Sequence, residues 1–243
     1  MKLDRYFYSI SAIVFLLLTF WGFHSVYLQG NAAGGNPIAP EMFVLNSIHS
    51  AAMSAWVLLF LVQAVVIRSR NRRLHMKLGW AALAIAPVLI ICSVLTAFRS
   101  VGASPDFSFF AIPYPRFLLV MLTEIALYAA FVAAGLITRK RPAVHRPMML
   151  LASLSILAGT PARIPTLYPV FSHAGWPGLF GPIFALGAVL LTIRSLLTRK
   201  LDRPFAVGYT AMVAVYVLGT HFALTETWNR FATALLKLGS SIT

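Results

Sequence analysis

The chain is expected to be an all-α, polytopic membrane bundle of seven transmembrane helices, a single integral-membrane domain over residues 1–243. Three observations lead there. Hydrophobic residues make up 59% of the chain, mean hydropathy is +0.81, and only 11% of residues are charged; soluble domains are about one quarter charged. The apolar residues fall into runs of about 20, the length an α-helix needs to cross a hydrocarbon core. Lys and Arg gather between those runs instead of along them.

Taken in order, the spans are expected at about residues 8–29, 43–67, 78–98, 117–138, 147–167, 176–195 and 204–225. The first follows "MKLDRY" and is interrupted by Trp21 and His24, which suits a retained anchor better than the shorter apolar core of a cleavable signal. The second carries Asn46, His49, Met53, Trp56, Phe60 and Gln63 at spacings of three and four, one stripe that should face the bundle. The fifth is read from "HRPMMLLASLSILAGTPARI". His145 and Arg163 are 18 residues apart, five helical turns, which would set them on one face about 27 Å apart, with Ala152, Ser155 and Gly159 between.

The connections carry their own signals. "NAAGGNPIAPEM" reads as a turn-forming link, and "VGASPDFSFFAIPYPR" as an aromatic interfacial segment or a lid over the bundle. The tail "NRFATALLKLGSSIT" suits a short amphipathic surface helix. "VVIRSRNRRLHMKLG", "GLITRKRPAVHRPMM" and "LTIRSLLTRKLDRPFAVG" share a layout, with His75 and His145 each eight residues after an Ile, so repeated helical hairpins are expected.

Charge sets the orientation. Lys2, Arg5, Arg68, Arg70, Arg72, Arg73, Lys77, Arg139, Lys140, Arg141, Arg146, Arg194, Arg199, Lys200 and Arg203 fall on one side, fifteen of the twenty Lys and Arg. Arg99, Arg116, Arg163, Arg230 and Lys237 fall on the other. The positive-inside rule then places the N-terminus in the cytoplasm and the C-terminus outside, in a bacterial inner membrane. The net charge of +14 is spent in these short loops, which argues against nucleic acid as a partner and for the lipid bilayer. The single cysteine, Cys92, rules out a disulfide framework or a thiolate cluster.

Ionisable residues inside a membrane are costly and are functional candidates by default. They form two layers. The outer holds His24, His49, Glu124, Arg163 and His221, with Arg99 and Glu226 at its boundary; the inner holds His75 and His145. Glu124 is the one acidic residue well inside a span, and Arg163 is its expected ion-pair partner, with Arg99 second. Two histidines at one depth could ligate haem b, with Arg99 and Arg163 holding its propionates. The same cations suit a quinone or another small ligand. A zinc hydrolase would need three histidines and a carboxylate at one depth, and neighbouring cations disfavour that. No Gly-x-Ser-x-Gly motif supports serine catalysis.

The stretches "IHSAAMSAWVLLFLVQAVVIRSRNRRLHMKLGW" and "RKRPAVHRPMMLLASLSILAGTPARI" resemble a family of bacterial predicted membrane proteins, a domain of unknown function, over about residues 46–165. The matching positions are His49, Gln63, His75, Gly79, His145, Arg146, Met149 and Arg163. The resemblance implies a four-helix unit with histidines on several helices, a layout similar to that of two-haem b-type membrane cytochromes, by analogy of fold alone. The leading expectation is therefore a haem- or quinone-linked bundle. It has His49, His75, His145, His221, Arg99 and Arg163 as cofactor-binding candidates, and Glu124, Gln63 and His24 as ligand or ion-pair residues. A transporter or receptor-like bundle, a metal-dependent hydrolase and a structural or assembly protein are the alternatives.

Overall fold

The computed structural model describes residues 2–31, 38, 40–104, 106–164 and 166–240. A 3₁₀ turn over Lys2–Tyr6 leads into α1 (Phe7–Gln29), followed by α2 (Pro40–Arg68) and α3 (Arg72–Ala103). A two-stranded hairpin, β1 (Ser108–Phe109) with β2 (Ile112–Pro113), precedes α4 (Tyr114–Ile137) and α5 (Pro142–Ser155). A 3₁₀ turn at Pro161–Arg163 and a short α6 (Tyr168–Ser172) lead to α7 (Trp176–Thr198), α8 (Arg203–Ala223) and α9 (Glu226–Ser240). Most of the expected turn-forming link after α1 lies outside the described residues.

The tight connections follow from their residues. Asn71 caps α3 by accepting from the Leu74 amide at 3.0 Å, and Asp202 caps α8 by accepting from the Phe205 amide at 3.3 Å, with Pro204 in the first turn where no amide is needed. These connections produce three adjacent hairpins: α2 with α3, α4 with α5, and α7 with α8.

Among the described residues, six helices, α1 to α4, α7 and α8, are long and apolar enough to cross a membrane. The expected fifth span over 147–167 is not a continuous helix. Its helix, α5, has 14 residues and rises about 21 Å, short of a hydrocarbon core of about 30 Å. Beyond Ser155 the chain continues in three-residue turns, Leu157 to Leu154, Ala158 to Ser155, Thr160 to Leu157 and Arg163 to Thr160. Gly159 and Pro161 are the cause: glycine is a poor helix former, and a proline inside a helix lacks the amide hydrogen and would crowd the carbonyl four residues earlier. His145 and Arg163 therefore do not share one helical face, and Gly159 does not extend the face of Ala152 and Ser155.

The broken segment is still carried across the bundle. It leaves the end of α4, and Tyr168 then packs edge-on against Phe110 of the β-hairpin at the opposite end, ring centres 5.7 Å apart. Its middle is encased: Leu150, Leu151, Ala152, Leu154, Leu157 and Ala158 are all inaccessible, and α5 packs among α1, α2, α4, α7 and α8. Irregular backbone at membrane depth is tolerated where protein covers it or where it lines a cavity. Both conditions hold here.

At the basic end, Arg194 of α7 bridges Asp4 and Asp202 and lies over the rings of Phe7 and Tyr8, 5.6 and 5.4 Å from their centres. At the other end, Arg116 of α4 reaches the Leu224 carbonyl at 2.9 Å and the Glu226 carboxylate at 3.3 Å. That fixes α9 as the expected amphipathic surface helix, its Trp228 and Ala232 buried against the bundle.

Candidate functional site

Part of the outer layer of polar residues lines a cavity of about 470 Å³. Each wall comes from a different element: Asn46, His49 and Met53 from α2, Ser93 and Thr96 from α3, Glu124 and Tyr128 from α4, and Gly159, Thr160 and Arg163 from the broken segment. The hairpin adds Phe107 and Phe109, followed by Tyr114 at the start of α4. The aromatic loop is thus a cover for the cavity. Its two turn residues, Phe110 and Ala111, sit at φ 50° and 60°, a left-handed pair that Asn-Gly usually fills.

His49 and Ser93 approach through Nδ1 and Oγ at 3.3 Å, which orients the imidazole. Arg163 curls back on its own turn: Nη1 donates to the Gly159 carbonyl at 2.8 Å, and the guanidinium lies over Phe23, 5.0 Å from the ring centre. A β-carbon at Gly159 would fall 2.7 Å from that nitrogen, so only glycine leaves the guanidinium this place.

The expected Glu124–Arg163 ion pair is not formed. The ion pairs among the described residues join Arg116 and Arg230 to Glu226, and Arg194 to Asp4 and Asp202. Glu124 and Arg163 instead contribute separately to the wall of one cavity. Arg99 is not the alternative partner either; it is exposed near the end of α3.

The remaining outer-layer histidines stand apart. His24 donates from Nδ1 to the carbonyl of Trp21 in its own helix at 2.6 Å. His221 is exposed on α8 and packs edge-on against Trp176, ring centres 5.4 Å apart. Neither lines the cavity, so of the outer set His49, Glu124 and Arg163 come together.

The inner pair does meet. The rings of His75 and His145 lie 6.3 Å apart at 87°. His145 Nδ1 donates to the Gly135 carbonyl at 2.7 Å, which leaves Nε2 as the free nitrogen. Gln63 lies opposite Gly79 in the same hairpin, 4.0 Å from where a β-carbon there would stand. Gln63 Oε1 and His75 Nδ1 are buried without hydrogen-bond partners among the described residues. No group of three or more His, Cys, Asp or Glu fit to hold a metal ion gathers among the described residues, so a zinc-hydrolase reading lacks its ligand set there.

Tyr114, Thr96, Tyr128 and Thr160 were not among the expected site residues. Tyr128 carried a signal: it lies four residues after Glu124 and so shares its helical face. Thr160 carried none, because its place depends on the break in the fifth segment. Comparison with protein-family models, with curated proteins and with solved structures finds no match, so the geometry of the site carries the functional reading.

Proposed function

We propose that this is a multi-pass protein of a bacterial inner membrane that binds a small amphipathic molecule of the quinone class in its outer cavity. The basic end that holds Asp4 and Arg194 faces the cytoplasm. The observation that carries the reading is that Arg163 and Glu124 line one largely apolar cavity without pairing with each other. Two opposite charges at membrane depth are each expensive unless something compensates them. A ligand between them can do so: Arg163 donates to the carbonyl oxygen of a quinone, and Glu124 accepts from the hydroxyl of the corresponding hydroquinone. His49 and Tyr114 supply exchangeable protons beside the same space, and Phe107, Phe109 and Phe117 offer an apolar wall to a ring and its tail.

The test is binding of a decyl-substituted para-benzoquinone to the purified protein in lipid nanodiscs. Wild type should bind in the micromolar range; Arg163→Gln should weaken quinone binding at least about tenfold, and Glu124→Gln should do the same for the corresponding hydroquinone, since each removes a charge-assisted hydrogen bond. Equal affinity in all three proteins for both ligands would refute the proposal.

A second cofactor, haem b at the inner layer, is favoured by one observation. The rings of His75 and His145 stand 6.3 Å apart on α3 and α5, and these two side chains would be the ones to hold haem there. The Gly135 carbonyl, by accepting from His145 Nδ1, leaves Nε2 of that ring free. Haem would supply one-electron chemistry when bound. The residues of this chain would hold and orient it.

A further inference from the structure

The cavity has a second polar place, which lies deeper than Arg163 and Glu124. Tyr128 follows Glu124 by one turn toward the middle of the bundle, and Thr160 precedes Arg163 by one turn on the segment that climbs outward. Both residues line the cavity, and each is only 1% exposed. Neither the Tyr128 hydroxyl nor the Thr160 hydroxyl has a hydrogen-bond partner among the described residues. Buried hydroxyls without partners are rare and call for an explanation.

Both groups are held in place. The Tyr128 ring meets Trp56 edge-on at 5.0 Å, and the Trp56 indole nitrogen donates to Ser153 Oγ at 3.2 Å. Thr160 is pressed against α1 at Gly22, where a β-carbon would come within 2.6 Å of its methyl and 2.9 Å of its carbonyl oxygen. Two buried hydroxyls held in place beside one cavity, without acceptors among the described residues, are donors for an oxygen brought in by a ligand.

We propose that Tyr128 and Thr160 form a second oxygen-binding subsite, so that the cavity selects a ring bearing oxygen at both ends over an amphiphile with a single polar head. The inference rests on the quinone reading of the cavity and refines it. One carbonyl of a para-quinone meets Arg163, and the opposite carbonyl accepts from the deep hydroxyls. A fatty acid or a one-carbonyl ring would satisfy the first place and leave the second empty.

The test uses wild type, Tyr128→Phe and Thr160→Val in nanodiscs, each confirmed as folded by circular dichroism. Three probes share a chain length: a decyl-substituted para-benzoquinone, a decyl aryl ketone and decanoate. Each variant should lose about fivefold in affinity for the quinone, the effect of one neutral hydrogen bond, and keep wild-type affinity for the ketone and decanoate. Unchanged quinone affinity in both variants would mean that water satisfies these hydroxyls, and the subsite is overturned. A parallel loss for all three probes would overturn it too, because that marks a change of cavity shape. If wild type binds decanoate or the ketone as tightly as the quinone, the claimed selectivity fails. If wild type binds no quinone at all, the broader reading falls with it, so the two failures are distinct.

Discussion

Arg163 is held by Gly159: its Nη1 donates to the Gly159 carbonyl at 2.8 Å, and the space a β-carbon would need at Gly159 is taken by that same nitrogen. The guanidinium therefore stands in the cavity because the residue four positions earlier has no side chain. Gly159→Ala should push the guanidinium off the Phe23 ring while preserving its charge. Affinity for a para-benzoquinone should fall about tenfold, with thermal stability changed by less than about 1 kcal/mol, since Gly159 is neither in a helix nor fully buried. Unaltered affinity in nanodisc titrations would show that Arg163 needs no such positioning.

The encased α5 makes a separate prediction about stability. A β-carbon at Gly208 of α8 would meet Leu151 at 2.4 Å and Met148 at 2.9 Å, both on α5. Glycine here brings two helices together closely, as small residues do in membrane bundles. Gly208→Leu should overpack this contact and lower stability by about 2–3 kcal/mol. The readout is the midpoint of thermal aggregation in detergent. A midpoint equal to that of wild type would mean that α8 is free to move away from α5.

These two cases mark what could be read in the sequence and what could not. The stripe from Asn46 to Gln63 was legible, because helical period alone puts six residues on one face, and Met53, Trp56 and Phe60 are indeed buried. Matched loop spacing set His75 and His145 at equal depth, but that their rings meet depends on how α3 and α5 are rotated and is visible only in the structure. The fifth span was misread because hydropathy reports apolar residues without distinguishing a lipid-facing helix from a chain encased in protein. Gly159, Pro161 and Pro165 were the visible warning. For Glu124 and Arg163 the sequence gives depth and not rotation about the bundle, so pairing was inferred where a shared cavity wall was found. Tyr128 and Thr160 could be recognised only once their hydroxyls had a place in space.

At the basic end, Arg194 should act as a tie for the N-terminal segment. Its side chain and that of Asp202 are 13% and 12% exposed, which makes this pair more costly to break than an ordinary surface bridge. Asp4 is 42% exposed and contributes less. Arg194→Met removes the shared cation and leaves Asp202 without its partner, for a loss of about 2–3 kcal/mol. Arg194→Lys should restore part of it, because lysine keeps the charge and loses the planar contact with Phe7 and Tyr8. Limited proteolysis of the N-terminal segment would follow the same order: fastest in Arg194→Met, slowest in wild type. Equal rates in all three proteins would assign no anchoring role to Arg194.

The histidine pair yields the last prediction, which separates a cofactor from a packing contact. If His75 and His145 hold haem b, protein expressed with added haem should show a Soret band that sharpens and shifts on reduction with dithionite. His75→Ala and His145→Ala should each abolish it, because either loss removes one of the two side chains that would hold the haem. Gly135 contributes a backbone carbonyl to His145, so side-chain replacement there does not remove the hydrogen bond; it brings a β-carbon within 2.5 Å of the Met149 sulfur instead. Gly135→Ala should therefore shift α5 against α4 and weaken haem retention while both histidines remain. A protein that has no Soret band and no haem by the pyridine haemochrome assay refutes this reading. The 6.3 Å approach of the two rings is then an edge-on contact that helps join α3 to α5, and the alanine variants should lower only thermal stability.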